Sequence, residues 1–250
     1  MAGDAPNFEP RSVSFIVPAY NEESRLGSLL DRLIDYVARQ PYDAEVLVVD
    51  DGSADATAEI ARAAGQRVPV RVLQHERNRG KGAAVRTGAL AATGDVVLYM
   101  DADGATPPEE TPKLLELLAA GADVAAGTRV HAGADMRASQ PTFRRVGGRL
   151  FKIARRRLLL SDIEDTQCGF KAFRRAAAQA IFPLQQLDGW AFDAEILYLA
   201  RRLGFSVRQV PIEWHHVEGS RFRLGIGSAL REVRDLLRIR WMHRRVGRPE

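Results

Sequence analysis

Apolar and polar positions alternate in blocks along the first hundred residues of the chain. Short apolar runs that contain β-branched residues predict strands, and each run is followed by a polar loop and then by apolar residues at helical spacing. The predicted strands cover residues 13–17, 46–49, 68–73 and 96–100. Strands that alternate with helices are typical of an α/β domain whose sheet is mainly parallel.

The second half of the chain continues this alternation less regularly. Apolar residues at helical spacing predict helices at 114–118, 143–160 and 192–203, the second of which is rich in arginine. Shorter apolar runs predict strands at 124–126, after the turn at 165–171, and at 207–214. Residues 131–141 are polar and predict a loop, and Gly204 lies where glycine commonly ends a helix. We therefore expect a single α/β domain with a mixed, mainly parallel sheet.

Residues 225–245 predict a basic amphipathic helix near the end of the chain. Its apolar residues share one face: Ile226, Leu230, Val233, Leu237 and Trp241. Arginines fall on the other: Arg231, Arg234 and Arg238. An apolar helical face either packs against a protein core or lies in a membrane interface. The pattern leaves both interpretations open.

Composition narrows the class of protein without identifying a function. The chain has 250 residues, of which 46% are hydrophobic and 27% charged, as expected of a soluble globular domain with a proper core. Its net charge is +4, but arginines cluster at 144–157 and 231–248, which favours an anionic partner. Cys168 is the only cysteine, so an intrachain disulfide is excluded. No apolar run reaches the roughly 18 residues of a membrane-spanning helix, and we expect a soluble or peripheral protein.

Two acidic residues directly follow the predicted strand at 96–100. Asp101 and Asp103 lie two apart, and a turn at Gly104 can converge their carboxylates on a hard cation such as Mg²⁺ or Mn²⁺. Polar residues also follow the three earlier strands, at 21–22, 50–51 and 77–81. Because the carboxyl ends of parallel strands line one crevice, we expect a ligand site there. Taken alone, two such acids are more often a simple turn than a metal site.

One enzyme class with such a motif is the haloacid-dehalogenase phosphatases. Their pattern is an apolar strand followed by Asp-x-Asp-Gly-Thr, in which the first aspartate is a nucleophile and the second a general acid. Residues 101–106 come close, but Thr106 is one residue late, and the motif follows the fourth predicted strand instead of the first. This interpretation is therefore the weaker alternative.

The chain resembles the inverting family 2 glycosyltransferases, which have a GT-A type, Rossmann-like fold. Four motifs carry the resemblance, in the family's order, at residues 17–22, 48–55, 78–82 and 100–103. The closer resemblance is to the dolichyl-phosphate glucosyltransferase and polyprenyl-phosphate mannosyltransferase group, at 101–106, 127–129, 165–171, 190–193 and 217–221. The eukaryotic glucosyltransferases of this group carry an N-terminal membrane anchor, whereas the lack of a long apolar run predicts none in this sequence. Any membrane association is expected to come from elsewhere.

The resemblance implies a role for individual residues. It assigns nucleotide-sugar binding to Pro18, Ala19, Tyr20, Glu22, Asp51, Lys81, Asp101 and Ala102. It assigns the metal to Asp101 and Asp103, and a catalytic role to Asp103 and Asp165. It assigns the acceptor phosphate to Arg129, Arg144 and Arg221. Because a lipid phosphate is largely dianionic at neutral pH, Asp165 is expected to orient the acceptor more than to deprotonate it.

The expected reaction is metal-dependent, inverting transfer of glucose from UDP-glucose to a polyprenyl or dolichyl phosphate. A mannosyltransferase that uses GDP-mannose remains the nearer alternative, and a non-catalytic nucleotide-sugar-binding protein that docks on membranes the more distant one. We expect no nucleic-acid partner. We expect a cytoplasmic location, either free or peripheral on the cytoplasmic face of a membrane. The expected organisation is a tail at 1–11, a GT-A domain at 12–222 and a basic helix at 223–250.

Overall fold

A single seven-stranded sheet organises the molecule. The computed structural model describes residues 8–65, 69–129, 163–215 and 226–247, with side chains from Arg234 onward in the last range. The strands are β1 (Ser12–Ala19), β2 (Asp43–Asp50), β3 (Val70–Gln74), β4 (Val96–Met100), β5 (Val124–Thr128), β6 (Phe170–Arg174) and β7 (Val207–Pro211). Six of these strands overlap strands that the sequence predicts. The seventh, β6, begins within the turn at 165–171, which the sequence predicts to lead into a strand.

The helices of the described residues alternate with these strands in the first half of the chain. They are α1 (Leu26–Val37), α2 (Thr57–Ala64), α3 (Lys81–Ala91), α4 (Thr111–Ala119), α5 (Arg175–Ile181), α6 (Phe192–Arg202) and α7 (Ile226–Met242). Short 3-10 helices cover Pro108–Glu110 and Phe182–Leu184. The loop predicted at 131–141, the helix at 143–160 and the boundary after residue 222 lie outside the described residues.

The sheet is mixed and mainly parallel, as predicted. Its strand order is β3-β2-β1-β4-β6-β5-β7. β6 is antiparallel to both of its neighbours, β4 and β5, and the other strand pairs are parallel. The carboxyl ends of β1, β2 and β4 therefore meet at one edge, and the amino end of β6 lies beside the carboxyl end of β4.

Helices cover both faces of the sheet. Phe15 and Ile16 are adjacent on β1 and fully buried, yet they belong to different hydrophobic clusters, because successive side chains of a strand point to opposite faces. One cluster includes residues of α3, α5, α6 and α7, and the other includes residues of α1, α2 and α4. Burial on both faces explains why the central strands are continuous apolar runs.

The two C-terminal helices pack on each other at the edge of one cluster. α6 ends at Arg202, and Gly204 follows with a φ of +86°, as its position in the sequence predicts. α7 buries Leu236 and Ile239, while Leu237 and Trp241 are 50% and 67% exposed. Among the described helices, none is both long and apolar enough to cross a bilayer.

Candidate active site

A pocket of about 300 Å³ opens at the carboxyl ends of β1, β2 and β4. It is lined by Pro18, Ala19, Tyr20, Glu22, Arg25, Asp51, Asn78, Gly80, Lys81, Ala84, Asp101, Ala102, Asp103 and Trp190. All of the residues predicted to bind the nucleotide sugar are in this set, together with both predicted metal ligands. The structure thus brings together loops that are far apart in the sequence. The roles of the individual residues stay predictions.

The loops after β1 and β2 are fastened to each other by hydrogen bonds. Asn21 has a φ of +52°, and its backbone N–H donates to the Ser53 hydroxyl at 2.9 Å. In return its side-chain oxygen accepts from the backbone N–H of Ala54 at 2.8 Å, and the Glu22 N–H donates to the Thr57 hydroxyl at 2.7 Å. These contacts fix the position of the loop that carries Tyr20 and Glu22 along one side of the pocket.

The Glu22 carboxylate itself accepts two hydrogen bonds from Arg25, at 2.6 and 2.7 Å.

Asp51 organises the loop that leads into α3. Its buried carboxylate accepts hydrogen bonds from the His75 ring at 2.6 Å and the Asn78 amide at 3.0 Å. It also accepts from the backbone N–H groups of Arg79 and Gly80, at 2.9 and 2.7 Å. Four donors occupy the acceptor sites of both oxygens. An additional bond to a nucleotide base would therefore require one of these donors to be released.

Lys81 is the first residue of α3 and points toward the two acids after β4. Its ammonium forms an ion pair with the Asp101 carboxylate. Burial alone would lower the pKa of Lys81, but the carboxylates of Asp101, Asp193 and Asp103 outweigh it and raise the pKa. Lys81 is therefore cationic at neutral pH. A cation at the N-terminus of a helix suits a phosphate group.

Asp101 and Asp103 occupy the turn predicted to hold a metal ion. The backbone N–H of Asp101 donates to the Gly169 carbonyl at 3.1 Å, and Asp103 accepts from the backbone N–H of Ala105 at 3.0 Å. Gly169 lies so close to the Asp101 carboxylate that a Cβ there would collide with it. No group of three or more potential metal-ligating side chains occurs among the described residues. Two carboxylates fit Mg²⁺ or Mn²⁺ only if diphosphate oxygens and water complete the coordination, which is the usual arrangement for Mg²⁺.

A buried ion pair lies behind this turn and was not predicted from the sequence. Lys171 on β6 and Asp193 on α6 are fully buried and paired, and the Tyr99 hydroxyl on β4 donates to Asp193. Lys171 also donates to the Tyr99 oxygen at 2.9 Å and to the Cys168 carbonyl at 2.6 Å. Burial and the Asp193 charge raise the pKa of Tyr99 well above its ordinary value, so its hydroxyl keeps its proton. We call Tyr99, Lys171 and Asp193 the buried polar trio.

The predicted catalytic residue Asp165 and the predicted phosphate ligand Arg129 bind each other. The Arg129 guanidinium donates to both Asp165 oxygens, at 2.7 and 3.0 Å. Burial would raise the pKa of Asp165, yet the hydrogen bonds and charge of Arg129 hold it below its ordinary value. Neither residue lines the pocket, although the segment from Asp165 to Gly169 runs from this pair to Asp101. Arg144 and Arg221, the other predicted phosphate ligands, lie outside the described residues.

Three residues near the start of α6 and β6 test the sequence interpretation of burial. A single cysteine and an aromatic residue at the start of a helix are expected to be buried, and Cys168 and Phe192 are. Burial raises the pKa of the Cys168 thiol to about 12, so it is no nucleophile at neutral pH. The sequence alone favours the core for Trp190 and leaves the sugar pocket as the weaker alternative. The core expectation is wrong, because Trp190 is 54% exposed. Its ring lies 5.1 Å from the Lys81 ammonium and lines the pocket. Because Trp190 lies two residues before α6, no helical periodicity could separate burial in the core from a place in the pocket.

Comparison with known proteins agrees with this geometry. The family model described as "Glycosyl transferase family 2" matches residues 14–182. Dolichyl-phosphate β-glucosyltransferases from Drosophila melanogaster and Homo sapiens are 38% and 35% identical to the chain. These alignments cover 98% and 92% of the chain, and 78% and 75% of the relatives.

Solved structures show the same fold. Glucosyl-3-phosphoglycerate synthase from Mycobacterium tuberculosis, in complex with Mn²⁺, uridine diphosphate and glucosyl-3-phosphoglycerate, matches with a TM-score of 0.67 and 22% identity. The match covers 96% of this chain and 81% of that chain. The same synthase with Mg²⁺ and uridine diphosphate matches with a TM-score of 0.65. This confirms the expected GT-A type α/β fold, and the sequence matches show that the chain belongs to glycosyl transferase family 2.

Proposed function

We propose that this glycosyltransferase transfers glucose from UDP-glucose to a dolichyl or other polyprenyl phosphate, with inversion at the anomeric carbon. The observation that carries the proposal is the single pocket that collects Asp51, Lys81, Asp101 and Asp103 from separate strand ends. The names of the relatives support glucose as the sugar and dolichyl phosphate as the acceptor. The complexes of the structural neighbour with uridine diphosphate support the nucleotide.

Different residues of the pocket would bind different parts of the nucleotide-sugar donor. Asp101 and Asp103 would hold Mg²⁺ or Mn²⁺, which when bound neutralises charge on the departing diphosphate. Lys81 places a positive charge against the same diphosphate, and the exposed face of Tyr20 offers a surface for the base. Trp190 stands across from Lys81 and closes the wall on the side of α6. Each of these groups binds or orients the donor, and none of them needs to transfer a proton.

The reaction forms one bond and breaks one. A phosphate oxygen of the acceptor attacks the anomeric carbon of the glucose, and the bond from that carbon to the β-phosphate oxygen of UDP breaks. The products are the lipid-phosphate sugar and UDP. Because the acceptor is already an anion, no general base is required, which agrees with an Asp165 that is ionised and bound by Arg129. We propose that this pair orients the acceptor together with Arg144 and Arg221.

A product assay with two donors tests the proposal. The protein is incubated with Mn²⁺, a polyprenyl phosphate and either radiolabelled UDP-glucose or GDP-mannose, and organic-soluble label is counted. We expect lipid-linked label from UDP-glucose alone, and none with the Asp103→Ala variant. Label from GDP-mannose alone would replace glucose by mannose in the proposal. No lipid-linked product from either donor would falsify the assignment of the acceptor.

A further inference from the structure

From Arg234 onward, the helix α7 has two apolar sides, and only one of them packs against the described part of the protein. Leu236, Ile239 and His243 point into the protein and are at most 2% exposed. Leu237 and Trp241 lie one helical turn apart on a different side and are 50% and 67% exposed. The core therefore does not explain the apolar side that contains Leu237 and Trp241.

The charges around these two residues are almost all positive. Three exposed arginines lie on α7 itself, Arg234, Arg238 and Arg240, and two lie in the turn that follows it, Arg244 and Arg245. Asp235 is the only acid between residues 234 and 247, and it is paired with Arg234 at 3.7 Å. The Arg244 guanidinium lies 4.8 Å from the centre of the Trp241 ring. Two exposed apolar side chains among five arginines fit a surface with an apolar interior and an anionic outer layer.

We propose that this side of α7, which we call the outer face of α7 (Leu237, Trp241 and the five arginines), docks on an anionic phospholipid membrane. Trp241 and Leu237 would enter the interface, and the arginines would contact lipid phosphates. A nucleic acid could bind the arginines through its phosphates, but it has no apolar interior for Leu237 and Trp241 to enter. The docking itself does not depend on the proposed function. Only its reason does, which is to bring the pocket to an acceptor that lies in a bilayer.

The outer face of α7 belongs to a helix that is fixed to the pocket wall. His243 lies 2.7 Å from the buried Glu195 carboxylate of α6. The same carboxylate accepts from the backbone N–H groups of Gln186 and Leu187, both at 2.9 Å, in the segment that leads to Trp190. Docking through α7 therefore holds the pocket at a constant position relative to the membrane.

Vesicle sedimentation of the full chain tests the proposal. The vesicles contain phosphatidylcholine alone or with 30% phosphatidylglycerol, and they hold neither polyprenyl phosphate nor nucleotide sugar. We expect binding to the anionic vesicles only. Leu237→Ser/Trp241→Ser should weaken it at least about tenfold. Arg238→Gln/Arg245→Gln should weaken it by about fivefold for each arginine, an effect that added salt removes.

Matched variants separate docking from general surface effects. Leu90 is 57% exposed on α3, so Leu90→Ser removes an exposed leucine elsewhere, and Arg39→Gln removes an exposed arginine of α1's C-terminal flank. Both should bind vesicles as the unaltered protein does. Equal binding by Leu237→Ser/Trp241→Ser would overturn the proposal, as would retention on a duplex oligonucleotide without binding to vesicles. All variants should keep activity on a short, water-soluble prenyl phosphate, so that failure of docking and failure of the proposed reaction give different results.

Discussion

At the scale of single residues, the aspartates around the pocket differ in how much of their bonding capacity the protein itself uses. Asp51 accepts four hydrogen bonds, and Asp165 is held by the guanidinium of Arg129. Asp103 is partly exposed and accepts one backbone hydrogen bond, from Ala105. A carboxylate that is saturated by the protein stabilises a loop. One with remaining acceptor sites is available to a cation that arrives with the substrate.

This difference predicts that Asp103 and Asp165 contribute unequally to the rate. Asp103→Ala should lower kcat by about 100- to 1,000-fold, because several kcal/mol of charge stabilisation on the leaving group are lost. Asp165→Asn should cost only about tenfold, because an amide still orients Arg129 and no proton transfer is lost. Both variants are measured under the same conditions with UDP-glucose and a polyprenyl phosphate. If Asp165→Asn is as inactive as Asp103→Ala, Asp165 has a chemical role that the ion pair does not suggest.

The pKa of Asp165 predicts a pH dependence of stability. Arg129 holds this pKa below that of the unfolded chain, which is about 3.9. The pair therefore stabilises the fold fully above pH 3.9, and the contribution is lost as the pH falls through the lower, folded-state pKa. The difference in unfolding free energy between the unaltered protein and Asp165→Asn should be constant from pH 7 to 5 and shrink below about pH 4. Urea denaturation at several pH values measures it, and a difference that is unchanged at pH 3 would contradict the assignment.

The buried polar trio predicts a large loss of stability when one member is changed alone. Asp193→Leu leaves the ammonium of Lys171 buried without a counter-charge, which should cost about 3–5 kcal/mol of unfolding free energy. Lys171→Met/Asp193→Leu removes both charges and should recover much of that loss. Urea denaturation of Asp193→Leu, of Lys171→Met and of the double variant at pH 7 gives the comparison. A double variant that loses the sum of the two single losses would show that the charges are not coupled.

At the scale of elements, the position of α3 decides where Lys81 lies. α3 crosses β1 and β2 at Gly88, where a Cβ would lie 3.1 Å from Val49 and closer still to Ile16. At its N-terminus, the backbone N–H of Gly82 donates to the Asp188 carbonyl at 2.7 Å. The small residues of α3 thus let the helix approach the sheet and the segment before α6. The apolar residues of α3 do not form one distinct face, because four successive residues, from Gly82 to Val85, are buried.

Substitution of a glycine in α3 should therefore displace the helix. Gly88→Ala should lower the unfolding free energy by about 1–3 kcal/mol through overpacking against Ile16. It should also raise the KM for the nucleotide sugar, because Lys81 moves with the helix. Gly27→Ala in α1 is the matched control, since its nearest neighbour would be the Ile60 side chain at 3.7 Å, an ordinary contact. If both variants have the same stability, α3 is not held at the distance that the structure shows.

Elements that are locally determined could be predicted from the sequence, and those that depend on distant partners could not. The runs at 13–17 and 96–100 are apolar because both faces are buried, and this signal is local. The antiparallel insertion of β6 between β4 and β5 depends on pairing with residues at least 70 positions away in β4 and at least 45 away in β5, which no local pattern encodes. The pocket residues could be predicted because motifs at strand ends share an edge. The pairing of Arg129 with Asp165 depends on the same long-range packing and was missed.

At the scale of the whole molecule, the pocket is an assembly of strand ends, and the cation site that we propose there is incomplete in the protein alone. Asp101 and Asp103 supply two carboxylates, and the described residues offer no cluster of three ligating side chains. Lys81 already neutralises part of the charge on Asp101. The protein alone should therefore bind a divalent cation weakly. A diphosphate adds the missing oxygen ligands, so cation and nucleotide should strengthen each other's binding.

This coupling can be measured without turnover. By isothermal titration, Mn²⁺ should lower the Kd for UDP by at least about tenfold, and UDP must lower the Kd for Mn²⁺ by the same factor, because the coupling free energy is reciprocal. Asp103→Ala should abolish both effects and leave the weak affinity for UDP alone, which comes from Lys81 and the loops after β1 and β2. Asp165→Asn is the control that removes a carboxylate outside the pocket, and it should keep the coupling. If Mn²⁺ binds equally well with and without UDP, the cation site is complete in the protein and a ligand beyond Asp101 and Asp103 must hold it.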